Sequence, residues 1–242
     1  MVKLPRVRMI PILGTYLPNT VIGLVATLFG ATVVGVLLAG AGVPMVAAAA
    51  LTPARILEGE AWRLFTWTFF ELNPLGLIFS CLMLAFLGRD LSTAWGYWRF
   101  VGLYLGLAAT VGVGTTLVGL AWPAVARQAY LSAWPLGDAL LIAWARQFPS
   151  RQILMYFVLP IGGRNLVLLV IGGTLLFALF GGVTAFVPHF LAIGIVSAYL
   201  SRSGFDLFWL RLRMAFTRRP SSSPARFHVV PKQEDEQNRW LH

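Results

Sequence analysis

Few side chains in this chain could do chemistry. Ser80, Ser132, Asp138, Ser197 and His189 stand inside or beside long apolar runs, and Glu71 stands at the edge of one. A serine nucleophile needs a base within hydrogen-bond reach and donors for a tetrahedral oxyanion. Ser80, Ser132 and Ser197 carry hydroxyls and His189 an imidazole, residues of those types. Each residue also has a plainer reading. A lone histidine in an apolar segment is more often a neutral residue bonded to a carbonyl or hydroxyl. An acid mid-helix such as Asp138, where charge costs several kcal/mol, is more often held by a structural hydrogen bond. No His, Asp or Glu pair recurs at i, i+3 or i, i+4 in any apolar run, and Cys81 is the single cysteine. No metal site is expected, and no glycine-rich loop leads into Lys-Ser or Lys-Thr, so no phosphate loop and no cofactor is expected either.

The elements that must position these residues follow from composition. Of 242 residues, 58% are hydrophobic and 12% charged, with a mean hydropathy of +0.76. That excludes an ordinary soluble domain. A spanning helix needs about 20 mostly apolar residues, because hydrocarbon cannot satisfy open backbone groups. The interruptions by charge, Gly and Pro predict an all-α integral membrane protein of six spans at about 20–40, 74–88, 99–120, 129–145, 165–180 and 185–200. A long first loop covers 43–72, and 149–164 lies partly along the interface. This membrane domain, 20–200, follows an N-terminal segment 1–19 and precedes a basic tail, 201–242. The tail opens with an amphipathic stretch from Phe205 to Phe216 suited to a membrane surface, then becomes polar and disordered after Pro220.

With six spans, sixteen basic residues fall on one side, against Arg55, Arg63 and Arg127 on the other. This predicts both termini in the cytoplasm and reads the +10 net charge as orientation bias plus attraction to anionic lipid rather than nucleic-acid binding. A bacterial inner membrane is the expected location.

Two polar islands carry a family resemblance. The first is Trp62-Arg63 within Gly59-Glu-Ala-Trp-Arg-Leu-Phe-Thr66, which alone would be an interfacial anchor. The second is Gly88-x-x-Leu91-x-x-x-Trp95-Gly96-x-x-Arg99-Phe100-x-x-x-Tyr104. Together they resemble the first loop and third-helix start of the rhomboid superfamily of intramembrane serine proteases, over about residues 50–200. The family's acid after the motif's Leu is Ser92 here. Setting the register by Gly88 and Gly137, the resemblance places the family's helix-two histidines on Glu71 and Gly76, its Asn on Ser80, its nucleophile on Leu136 and its base on His189. Leucine has no proton to lose. Leu136-Gly-Asp-Ala139 with Trp144-Ala-Arg-Gln-Phe-Pro149 is also similar to a helix-four stretch of the catalytically silent Derlin branch, with a spacing that differs by about one helical turn.

The resemblance therefore implies a pseudoprotease that binds transmembrane helices of client proteins without cutting them. Trp62, Arg63, Gly88, Trp95, Gly96, Arg99, Asp138 and His189 are its candidate structural or client-binding residues. A second helix of only about 14 residues would thin the bilayer beside the site. If Leu136 faces His189, Asp138, two positions on and about 200° around the helix, does not. Two alternatives remain. One is an active protease using Ser132, one turn before Leu136, with His189. The other is a small transporter, for which two similar halves with broken helices would be expected; no inverted repeat is visible, and Gly162-Gly163 and Gly172-Gly173 are its only hint.

Overall fold

The computed structural model describes residues 9–12, 15–155 and 159–201. Most of the described chain is helical. Strands β1 (Met9–Ile12) and β2 (Thr15–Pro18) form a small antiparallel hairpin ahead of α1 (Asn19–Gly40). The first loop holds α2 (Met45–Ala49), α3 (Pro53–Leu57), α4 (Arg63–Thr66) and a 3-10 turn at Trp67–Phe69. Then come α5 (Pro74–Trp95), α6 (Tyr97–Ala121), the short α7 (Pro123–Ala126) and α8 (Trp134–Gln147). A second hairpin, β3 (Gln152–Met155) with β4 (Leu159–Gly162), leads to α9 (Gly163–Gly181) and α10 (Val183–Ser201). The basic residues of 1–8, the amphipathic 205–216 stretch and the rest of the tail lie outside the described residues.

Among the described residues, five helices, α1, α5, α6, α9 and α10, are long and apolar enough to cross a membrane. The expected span at 129–145 is instead α8, which starts five residues later behind Pro135 and has 14 residues. At 1.5 Å per residue it is about 21 Å long, less than a hydrocarbon core of about 30 Å. It is also the most enclosed helix: Leu136, Ala139, Leu140, Ile142 and Ala143 are buried. The all-α expectation needs the two hairpins added, one of them in place of the interfacial segment at 149–164.

The second helix does not end at Gly88. It runs on to Trp95, and the turn comes at Gly96, whose φ of +93° is a conformation glycine adopts without strain. Gly88 serves close packing instead, since a β-carbon there would stand 3.1 Å from Phe100 Cζ and 3.2 Å from Val21 Cγ1. At 22 residues, α5 is about 33 Å long, so the thinning expected of a short second helix has no basis. Its start is set by Asn73, whose Oδ1 accepts from the amides of Leu75 and Gly76, with Pro74 in the first helical position.

Contacts fix two ends of the helix bundle. Val21 meets Gly88, Trp95 Nε1 donates to Gln147 Oε1 at 3.0 Å, and Arg146 reaches Ser201. One end therefore gathers the start of α1, the end of α5 and the ends of α8 and α10. The other holds the first loop, which pairs with the approach to α8 through Leu51 and Tyr130. Tyr130 in turn donates its hydroxyl to Thr184 O at 2.9 Å.

Candidate functional site

The first loop is built on unpaired carbonyls. The last C=O groups of a helix have no partner within it, and those following α2 are claimed by side chains of α4 and the residue before it. Arg63 Nη1 donates to Ala47 O and Ala50 O, each at 2.7 Å. Trp62 Nε1 donates to Ala48 O at 3.1 Å and Thr66 Oγ1 to Ala49 O at 2.8 Å. Arg63 also pairs with Glu60 and is 6% exposed. Trp62, 54% exposed, turns its ring outward. The Trp-Arg pair, with Thr66, is thus a clamp on four consecutive backbone carbonyls.

The chain after the clamp delivers Glu71 to the starts of two helices. Thr32 Oγ1 on α1 accepts from the Glu71 amide at 3.1 Å. Gly76 leaves room for the carboxyl, since a β-carbon there would stand 3.2 Å from it. Ser132 Oγ donates to Glu71 Oε2 at 2.7 Å and itself accepts from the Trp134 amide at 3.0 Å. The amides of Asn73, ahead of α5, and Ala133, ahead of α8, also donate to the carboxylate. Burial pushes the Glu71 carboxyl above its ordinary 4.5, against the downward pull of Ser132, those amides and His189.

A second polar pair lies among the helices. His189 Nδ1 of α10 and Asp138 Oδ2 of α8 are 2.7 Å apart, and Thr174 Oγ1 of α9 lies 3.5 Å from the same oxygen while donating to Val170 O. The ring of Phe186 lies 5.0 Å from the imidazole. Asp138, not Leu136, is therefore the α8 residue that meets His189. Leu136 is completely buried, on another face of the helix by the 200° that separates them.

These positions decide what the site can do. The Ser132 hydroxyl is engaged by Glu71 rather than by His189. Ser80 Oγ is buried without a hydrogen-bond partner among the described residues, beside a small cavity lined by Tyr104, Ala133, Gly137 and Leu140. Gly137 is where α5 and α8 press together, a β-carbon there falling 2.5 Å from Met83 Cε. Among the described residues no three His, Cys, Asp or Glu side chains could hold a metal ion. At the other end, Asp90 Oδ2 accepts from Trp144 Nε1 at 2.9 Å and Arg151 Nη1 at 3.0 Å, while Ser92 bonds the Arg89 carbonyl. Gly96 makes the turn there and Arg99 is exposed on α6.

Sequence reasoning did not single out Thr32, Asn73, Asp90, Tyr130 or Thr174. Only Asn73 carried a local signal, the Asn-Pro that opens a helix. The others take partners at least 36 residues away.

In comparisons with known proteins, the family described as "Eukaryotic integral membrane protein (DUF1751)" matches residues 22–201. No curated protein matches the chain. The family match overturns the bacterial inner membrane as location, since the family is eukaryotic. The charge bias behind that expectation orients helices in membranes generally and does not say whose membrane.

Two outcomes test this geometry. Arg63→Ala strands the Ala47 and Ala50 carbonyls and the Glu60 carboxylate, and should cost about 3–5 kcal/mol, read as a lowered unfolding midpoint in detergent. Arg63→Lys, a point charge without the planar fork, should recover only part of it. For Glu71, a raised pKa means the folded chain holds this proton more tightly than the unfolded one. Its contribution to stability should then fall as pH rises from 4.5 through the raised value. Glu71→Gln should flatten that slope in midpoints measured against pH; an unchanged slope would assign it to another group.

Proposed function

The chain belongs to the eukaryotic integral membrane protein family DUF1751, and from that premise we propose that it is a rhomboid-like membrane protein that holds transmembrane helices of client proteins without cleaving them. In this reading α8 completes a sixth crossing at the centre of the bundle, both termini lie in the cytosol, and the family's proteolytic centre has become a structural lock.

The observation that carries the proposal is the 2.7 Å bond from Ser132 to Glu71. Hydrolysis of a peptide bond needs a free nucleophile and free donors at the place where the oxyanion forms. Here Ser132 donates its hydroxyl hydrogen bond to a carboxylate, and amides at the starts of α5 and α8 are spent on the same carboxylate. Leu136, where the rhomboid resemblance puts the nucleophile, is sealed in the core. Client binding is supported by the one stripe of α8 that is not fully covered: Trp134, Asp138 and Leu141 at i, i+4 and i+7. A client helix with a polar residue at the depth of Asp138 and His189 would find hydrogen-bonding partners there instead of lipid. The competing reading is a hydrolase with Ser132 as nucleophile and Glu71 as base, which the same short bond brings into play.

Photo-crosslinkers at Trp134 and Leu141, with model single-span helices in liposomes, separate these. The expected result is adduct formation several-fold higher for a helix with a polar residue at matching depth than for its all-leucine counterpart, with both helices intact. Equal adduct yields would contradict client binding. Cleavage that disappears in Ser132→Ala would replace the proposal with the hydrolase.

A further inference from the structure

The two ends of the helix bundle handle their charge differently. At the first-loop end three arginines face three glutamates: Arg55 pairs with Glu58 at 3.0 Å, Arg63 pairs with Glu60, and Arg127 and Glu71 make up the numbers. At the other end Arg89, Arg99, Arg146, Arg151 and Arg164 meet one acid, Asp90, which Arg151 takes. Arg146 bonds the Ser201 hydroxyl. Arg89, Arg99 and Arg164 have no acidic partner among the described residues.

Orientation alone would ask for positive charge here, not for guanidinium groups without an acidic partner among the described residues. Their level is set by the helices that carry them. Arg99 is the third residue of α6, Arg164 the second of α9 and Arg146 the last but one of α8. The start of α9 presses on the end of α8, where a β-carbon at Gly163 would fall 2.7 Å from Ala145 O. The Trp95–Gln147 bond ties the end of α5 to the same place. Beside them Trp98, 58% exposed, follows Tyr97 at the α5–α6 turn. Exposed tryptophan next to arginine at the end of a spanning helix belongs at headgroup depth, and the planar guanidinium fork matches phosphate oxygens.

We propose that this end of the bundle is a binding surface for anionic phospholipid headgroups, formed by Arg89, Arg99, Arg146 and Arg164 with Trp98 beside them. It is independent of whether the protein holds clients. The site fits a phosphate-bearing lipid of the adjoining leaflet rather than an acidic protein, because its guanidiniums lie at the membrane boundary among exposed aromatics.

The test is lipid retention by the full-length chain, purified in mixed micelles of phosphatidylserine and phosphatidylcholine and counted by native mass spectrometry. The wild-type chain should retain phosphatidylserine several-fold over phosphatidylcholine. Each guanidinium removed in an R89Q/R99Q/R164Q variant should weaken that retention about fivefold, or about 1 kcal/mol. An R55Q/R127Q variant, altered at the opposite end, should match the wild type. If the unfolding midpoint of the triple variant drops, R99Q and R164Q singly decide the case. Equal retention of both lipids by the wild type, no loss in the single variants, or an equal loss in R55Q/R127Q would each overturn the proposal.

Discussion

One carboxylate sets the architecture at the first-loop end. Helices α5 and α8 both begin there, and the start of a helix leaves amides without partners and a partial positive charge. Two such ends close together in a poorly hydrated place need an anion, and Glu71 is that anion. It takes the Asn73 and Ala133 amides and the Ser132 hydroxyl. Its own amide is bonded to Thr32 of α1. Three helices are thereby tied to one residue of the loop. Charge-assisted hydrogen bonds are worth about 1.5–3 kcal/mol each, enough to hold a loop whose local elements are only four or five residues long.

The rest of the site follows from filling that place from within. Donors that bind an internal carboxylate are not available to an oxyanion, and a serine bonded to it is not poised toward an imidazole. The imidazole is occupied in turn, joining α10 to α8 through Asp138, with Thr174 of α9 close by. Burying ionisable groups among apolar helices is costly unless they are paired, and both pairs meet that condition while linking elements distant in the sequence. The Trp-Arg clamp applies the same economy to backbone: four carbonyls that α2 cannot satisfy are satisfied by three side chains.

Much of the helical layout was legible before any coordinates. Hydropathy placed the first span at 20–40, against Asn19–Gly40, and the fifth at 165–180, against Gly163–Gly181. It misjudged α5 because Gly88-Arg-Asp90 reads as a helix end, whereas the glycine admits Phe100 and the two charges lie near the boundary, where they are tolerated. It overstated α8 because apolar residues before Trp134 extend the run without being helical. The site was less legible. Glu71, Ser132, Asp138 and His189 were all in view, but Gly137 fixes a position along α8 and not which neighbour each face meets. That is decided by packing of α9 and α10, so the pairing of Asp138 with His189 went against the face assigned to Leu136. Arg63 was recognised by its company; besides Glu60, its partners are backbone oxygens, which no side-chain pattern announces.

The claim that Glu71 disarms Ser132 is tested most directly by treating the folded protein, in membranes, with a fluorophosphonate probe, which phosphonylates only activated serines with loss of fluoride. The account predicts no phosphonylation above that of Ser132→Ala, and the same result when His189 is replaced. Stoichiometric modification of Ser132, lost in Ser132→Ala and reduced in Glu71→Gln, would show that the carboxylate activates the hydroxyl instead of occupying it.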